Sequence, residues 1–304
     1  MPLSIGVVFP ETVPADVPLP DPASIARHAE HAGLDCVWAE DRLADQEMCV
    51  PDAPLTLAAA AAVTEHIGIG FAVYVPSRRP LVLAAKQIAS LQHISGGRLQ
   101  LGVGLGGGDE HEYEVAGYRV ADRARRTEAF LRLLPTLLGG QTAQVPDLPG
   151  MPAVRLLPPA PLPPLWIGGI STAALRRAAT FGSGWLSGFQ SPAEFAASAA
   201  RLSDLAAEAG RPSLRLGISV HATLGTGTGT GLADQTADFL QRTYGMPPDR
   251  ARQLAVGGTP DQVADQLAAF TEAGADVIAV GCHPDLAPQT VDLVAEVGRR
   301  LRQH

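Results

Sequence analysis

Several residues in this 304-residue chain have the type and spacing to do chemistry. Glu40 and Asp41 end the apolar run DCVWAED. A carboxylate there can accept a proton or hold a water, and to act as an acid at neutral pH it needs its pKa raised by burial. His111, His221 and His283 each end or follow another apolar run. They are candidate acid–base groups, with a solvent-facing histidine as the plain alternative. WIGGIST puts Gly169 and Ile170 before Ser171 and Thr172. Bare N–H groups and hydroxyls at a helix start make an anion site, and an ordinary capped turn is the alternative. Arg78 and Arg79 are either phosphate contacts or a solvated pair. Gly102, Gly104 and Gly106 allow close approach of a ring, or tight strand packing.

These residues need a scaffold, and the sequence supplies one by alternation. Short β-rich runs fall at 4–9, 35–39, 67–75, 99–105, 165–168, 184–188, 214–220 and 276–281. Helical stretches separate them, several opened by Asp-Pro, Ser or Thr-Pro-Asp and stopped by glycine. The runs are nearly continuous in apolar residues, as parallel strands covered on both faces are. Eight such units predict a (β/α)8 TIM barrel, which typically takes ~250 residues, as one domain over 1–304. An open doubly wound sheet is the competing fold, but no G-x-G-x-x-G follows the first run. Two insertions exceed the minimal plan: 140–162 before strand five, and 222–258 after strand seven. The second contains GTGTGTG and a helix-like segment. It reads as a lid over the barrel top, with a disordered linker as the alternative.

Composition removes several function classes. The 32 glycines and 26 prolines stay below the share that marks low complexity, and 46% hydrophobic residues can fill a large core. A formal charge of −8 without basic blocks argues against nucleic acid and anionic membranes. No apolar run reaches the ~18 residues of a membrane span, and no secretory leader is read, so a cytoplasmic protein is expected. Cys36, Cys49 and Cys282 have unrelated spacings, and buried free thiols are expected. No metal centre is expected either: metal-hydrolase barrels usually begin with His-x-His on strand one, which here reads GVVFPE.

Three longer segments carry a resemblance. They are RRPLVLAAKQIASLQHISGGRLQLGVGLG at 78–106, PPLWIGGISTAALRRAATFGSGW at 163–185, and GGTPDQVADQLAAFTEAGAD at 257–276. In order and spacing the chain resembles the bacterial-luciferase-like family of flavin- and deazaflavin-dependent oxidoreductases. The resemblance implies a cofactor at the C-terminal face of the barrel, with its phosphate at Gly169, Ile170, Ser171 and Thr172. It implies a strand-three bulge beneath the cofactor ring at Ala72 and Val73, with a bond between them that is cis in many relatives and trans in others. Gly104, Gly106 and Arg79 join the expected cofactor contacts.

The same resemblance exposes departures. Many relatives carry a carboxylate followed by histidine at the end of strand two, where this chain has Glu40 and Asp41. The family's deazaflavin sugar dehydrogenases use an acidic residue just after strand four, where this chain has Gly107. The leading expectation is a monooxygenase that takes reduced FMN from a separate flavin reductase and uses O2 on a small organic substrate. The alternatives are hydride transfer with coenzyme F-420, and a non-catalytic flavin-binding relative. A phosphate-binding aldolase is more distant, because Lys86, the one lysine, lies in a helix. A homodimer through helices two and three is expected, as in relatives; the small side chains of LTLAAAAAVT permit close packing there.

Overall fold

Helix starts are set by side chains. Asp21, Asp52, Ser171, Ser191 and Thr259 have extended backbone, and each side chain accepts an N–H two or three residues further on. Those bonds satisfy donors that a first helical turn leaves without partners. A computed structural model describes residues 2–10, 13–14, 17–45, 48–107, 109–145, 153–282 and 286–303. Its longer strands are β1 (Ser4–Phe9), β2 (Cys36–Ala39), β3 (Gly68–Tyr74), β4 (Leu99–Val103), β5 (Leu165–Gly168), β6 (Gly184–Gly188), β7 (Arg215–Leu224) and β8 (Val277–Cys282). The helices are α1 (Pro22–His31), α2 (Ala53–Ala62), α3 (Leu81–Ile94), α4 (Glu110–Val115), α5 (Arg123–Leu138), α6 (Thr172–Phe181), α7 (Pro192–Glu208), α8 (Leu232–Tyr244), α9 (Pro248–Leu254), α10 (Pro260–Glu272) and α11 (Pro288–Leu301).

All eight strands pair in parallel, in the order β7-β8-β1-β2-β3-β4-β5-β6, and β6 pairs again with β7. The ring is closed, and the helices surround it: this is the (β/α)8 barrel that the alternation predicts. Among the described residues no helix is long and apolar enough to cross a membrane. Cys36 and Cys282 are buried, while Cys49 is only half-buried.

The region after β7 differs from expectation. Strand β7 continues to Leu224, so His221 lies inside it rather than at its end. Residues 256–258 then pair in parallel with 222–224. The Thr236 hydroxyl lies 2.8 Å from both Thr223 Oγ1 and the Val256 carbonyl, which staples the neck of the insertion. Helices α8 and α9 pack around Ala237, Leu240 and Ala251. The insertion is therefore a small helical cap, and the disordered-linker alternative fails.

Inside the ring, Trp38 and Trp166 form the lower filling with Val8, Cys36, Leu186 and Val277. Room for the indoles comes from glycine: a Cβ on Gly70 would meet the Trp38 ring, and one on Gly184 the Trp166 ring. Above them β3 bulges, with a register shift against β4 between Phe71 and Tyr74. Val73 then projects against Gly102, Gly104 and Gly168. These glycines make space for the bulge itself, which favours the packing reading of Gly102 and Gly104.

Substitution tests this account. A Cβ on Gly102 would collide with the Phe71 carbonyl oxygen, whereas one on Gly107 meets nothing within 4 Å. Gly102→Ala is expected to lose about 2–3 kcal/mol of stability through overpacking, and Gly107→Ala less than about 0.5 kcal/mol. Denaturant midpoints of the two variants check the difference.

Candidate active site

The end of β2 feeds Glu40 and Asp41 to the top of the barrel. The Asp41 side chain is 1% exposed, and both of its oxygens are engaged. Oδ2 accepts the Val75 N–H at 2.8 Å, and Oδ1 pairs with Arg79 Nη2 at 2.8 Å. Burial pushes the Asp41 pKa upward, and the Arg79 guanidinium works against that shift. Arg79 loses solvation too, but the Asp41 carboxylate holds its proton more tightly than in water. These two bonds make Asp41 a brace between β2 and the exit of β3.

Arg78 continues the brace. Its Nη1 donates to the Asp41 carbonyl at 3.0 Å, and its Nη2 pairs with Glu112 Oε2 at 2.5 Å. Glu112 also accepts the Leu43 N–H at 2.8 Å. Arg126 donates to the carbonyls of Ser77 and Arg79 at 3.0 and 2.9 Å. Tyr113 donates to the Leu105 carbonyl at 2.7 Å. One wall of the site is thus a buried polar network whose charges are paired, which rigidifies it.

The floor is Ala72 and Val73, joined by a cis peptide bond. At one edge stands the turn before α6. Gly169 has φ +106°, a backbone region in which glycine alone is comfortable. Its carbonyl accepts the Trp185 indole N–H at 2.8 Å, and Ser171 Oγ caps α6 through the Ala174 N–H at 3.2 Å. Gly169, Ile170 and Ser171 face the cleft at the positive end of α6. At the far side His221 stacks on Phe189 (ring centroids 5.6 Å apart) and meets Tyr244 of α8 at 5.3 Å. Tyr244 OH lies 3.5 Å from Glu40 Oε2, tying the cap to β2.

Together these elements line an open cleft of about 690 Å³, a volume in the range of ligand pockets. Glu40, Asp41, Ala72, Val73, Gly104, Gly106, Gly169, Ile170, Ser171 and His221 all line it. Four expected residues do not join them. Arg79 lies behind Asp41, and the Thr172 hydroxyl accepts instead from Arg201 at 2.7 Å. His111 is exposed on α4. His283 lies outside the described residues. Sequence reading missed Glu112, Phe189, Ser219 and Tyr244 as lining groups. A signal existed for Glu112, because Asp109 caps α4 in the pattern of a helix start.

Residues 4–228 match the family described as luciferase-like monooxygenase. The chain belongs to this family. An uncharacterised protein from Mycobacterium tuberculosis is 35% identical over 158 residues, 51% of this chain. The aligned region spans 54% of that relative's length. Two solved structures share the fold. An F-420-dependent secondary alcohol dehydrogenase, in complex with an F-420–acetone adduct, superposes with TM-score 0.80 at 17% identity, covering 98% of each chain. The oxygenating constituent of Pseudomonas putida 3,6-diketocamphane monooxygenase, a type II Baeyer–Villiger enzyme in complex with FMN, gives TM-score 0.76 at 16% identity. That match covers 100% of this chain and 98% of the other. Members of the luciferase-like family are mostly oxidoreductases or monooxygenases.

The brace makes a prediction specific to this luciferase-like chain. Arg79→Met leaves Asp41 buried without its cation, at an expected cost of about 3–5 kcal/mol near neutral pH. A carboxyl whose folded-state pKa exceeds its unfolded one stabilises the fold at low pH and loses that contribution as pH rises through the folded value. The deficit of Arg79→Met should therefore shrink as pH is lowered. Denaturation at several pH values measures it, with wild type as reference.

Proposed function

We propose that this protein is a monooxygenase that uses reduced FMN and O2 on a small organic substrate held in the cleft, with the FMN supplied reduced by a separate flavin reductase. The observation that carries this reading is one continuous cleft with an apolar floor and, at its edge, a helix N-terminus with a glycine turn. The residues present fit a phosphorylated isoalloxazine. Gly169, Ile170 and Ser171 would hold the phosphate, and Ala72, Val73, Gly104 and Gly106 would flank the ring. When bound, reduced FMN supplies the electrons that activate O2.

The remaining work falls to the protein's own groups. The α8 cap with Tyr244 and Phe189 excludes water from above. His221, buried in the wall, is the group placed to move a proton near a substrate oxygen. Glu40 holds the cap through Tyr244, and Asp41 braces the end of β2 against the exit of β3. A second reading keeps the cleft but replaces O2 chemistry by hydride transfer with coenzyme F-420; the F-420-dependent alcohol dehydrogenase of the same fold supports it.

Titration with FMN and with coenzyme F-420 separates the readings, and tight binding of neither would overturn both. Ser171→Asp sharpens the test. Aspartate caps helices as well as serine does, so the fold should hold, while its charge repels phosphate. We expect FMN to bind at least about tenfold more weakly to this variant, and riboflavin to bind unchanged.

We also propose a homodimer through α2 and α3, whose surfaces expose Leu55 (72%) and Leu83 (49%). Light scattering at micromolar concentration should give twice the 31.6 kDa chain mass. A monomer would contradict the proposal.

A further inference from the structure

Behind His221 lies a second chamber of about 200 Å³. It shares Phe189, Ser219 and His221 with the main cleft, so these residues form the partition between the two spaces. Its other walls are largely apolar, from Leu240, Val256 and Phe270 among others, and apart from the imidazole of His221 none of its lining residues has an ionisable side chain.

The chamber's amides are already used. Gln190 bonds to Ser187, Ser198 and the Glu194 carbonyl. Gln266 bonds to both backbone groups of Gly257. The Gln253 oxygen accepts from Arg250 at 2.7 Å. Ser219 differs: its hydroxyl oxygen is buried and has no hydrogen-bond partner. A buried hydroxyl without a partner costs free energy and is explained when a ligand supplies the partner.

The partition has an unusual backbone. Phe189 has φ +54°, the one non-glycine residue in the left-handed region among those described. Arg250 holds it there, donating to the Phe189 carbonyl at 2.9 Å while pairing with Glu194 at 2.8 Å. A strained conformation fixed by its surroundings points to function. Here it sets the ring against His221 and Tyr244, and the residue remains 39% exposed.

We propose that this chamber is a second substrate compartment. It takes the uncharged ring or short alkyl arm of a carbonyl compound whose oxygen accepts from Ser219, with the Phe189 ring as the movable partition. The volume suits a group the size of a benzene ring, and a charged arm would find no partner there. The proposal names a substrate class for the site and rests on the functional reading above.

The test uses fluorine NMR of fluoroacetophenone with the full chain, in the presence and absence of FMN. Wild type should bind the probe. Val256→Phe fills the chamber and should bind it at least about tenfold more weakly, and Ser219→Ala about three- to tenfold more weakly. Circular dichroism establishes folding of each variant. Undiminished binding in a folded Val256→Phe protein, or no binding to wild type, overturns the proposal. If Val256→Phe does not fold, Ser219→Ala, which adds no bulk, decides alone: wild-type affinity there overturns it. Probe binding without FMN binding removes the monooxygenase reading and leaves the chamber; the reverse removes the chamber only.

Discussion

A closed ring of eight parallel strands must be filled, and this chain fills it from below with two indoles. Trp38 and Trp166 occupy the lower interior because Gly70 and Gly184 leave them room. The β3 bulge, itself accommodated by Gly102, Gly104 and Gly168, closes the filling from above. The height of that filling fixes where the cleft begins. Everything chemical must then happen above Ala72 and Val73, between the strand ends and the α8 cap.

The electrostatics follow from the same limit. Two buried carboxylates beside the cleft are each paired: Asp41 with Arg79, and Glu112 with Arg78. The pairing turns Asp41 and Glu112 into a brace, while His221 and the Gly169–Ile170–Ser171 turn also face the cleft. The cap is anchored separately. Arg250 and the Ser191 N–H hold the Glu194 carboxyl down to about 2, so the Arg250 link that fixes Phe189 persists at ordinary pH.

Much of this was legible in the sequence. The eight strands and most helices follow from runs, caps and stops, because parallel strands and capped helices are local patterns. The turn before α6 was legible too as a glycine turn with a serine cap, since glycine and serine there answer to backbone geometry. Asp41 was legible as a residue at the site but not in its role, because its partners Val75 and Arg79 lie more than thirty positions away in the chain. Phe189 and Ser219 were invisible for a similar reason. A partition between two cavities exists only once α8 and the β6–α7 turn meet, and nothing in GWLSGFQ or RLGISV announces that meeting.

The central claim is that one cleft binds a phosphorylated coenzyme in one orientation. A crystal structure of the protein with FMN tests it most directly. The ring is expected against Ala72 and Val73, and the phosphate on the N–H groups of residues 169–171. FMN bound in the reverse orientation, or outside this cleft, would contradict it.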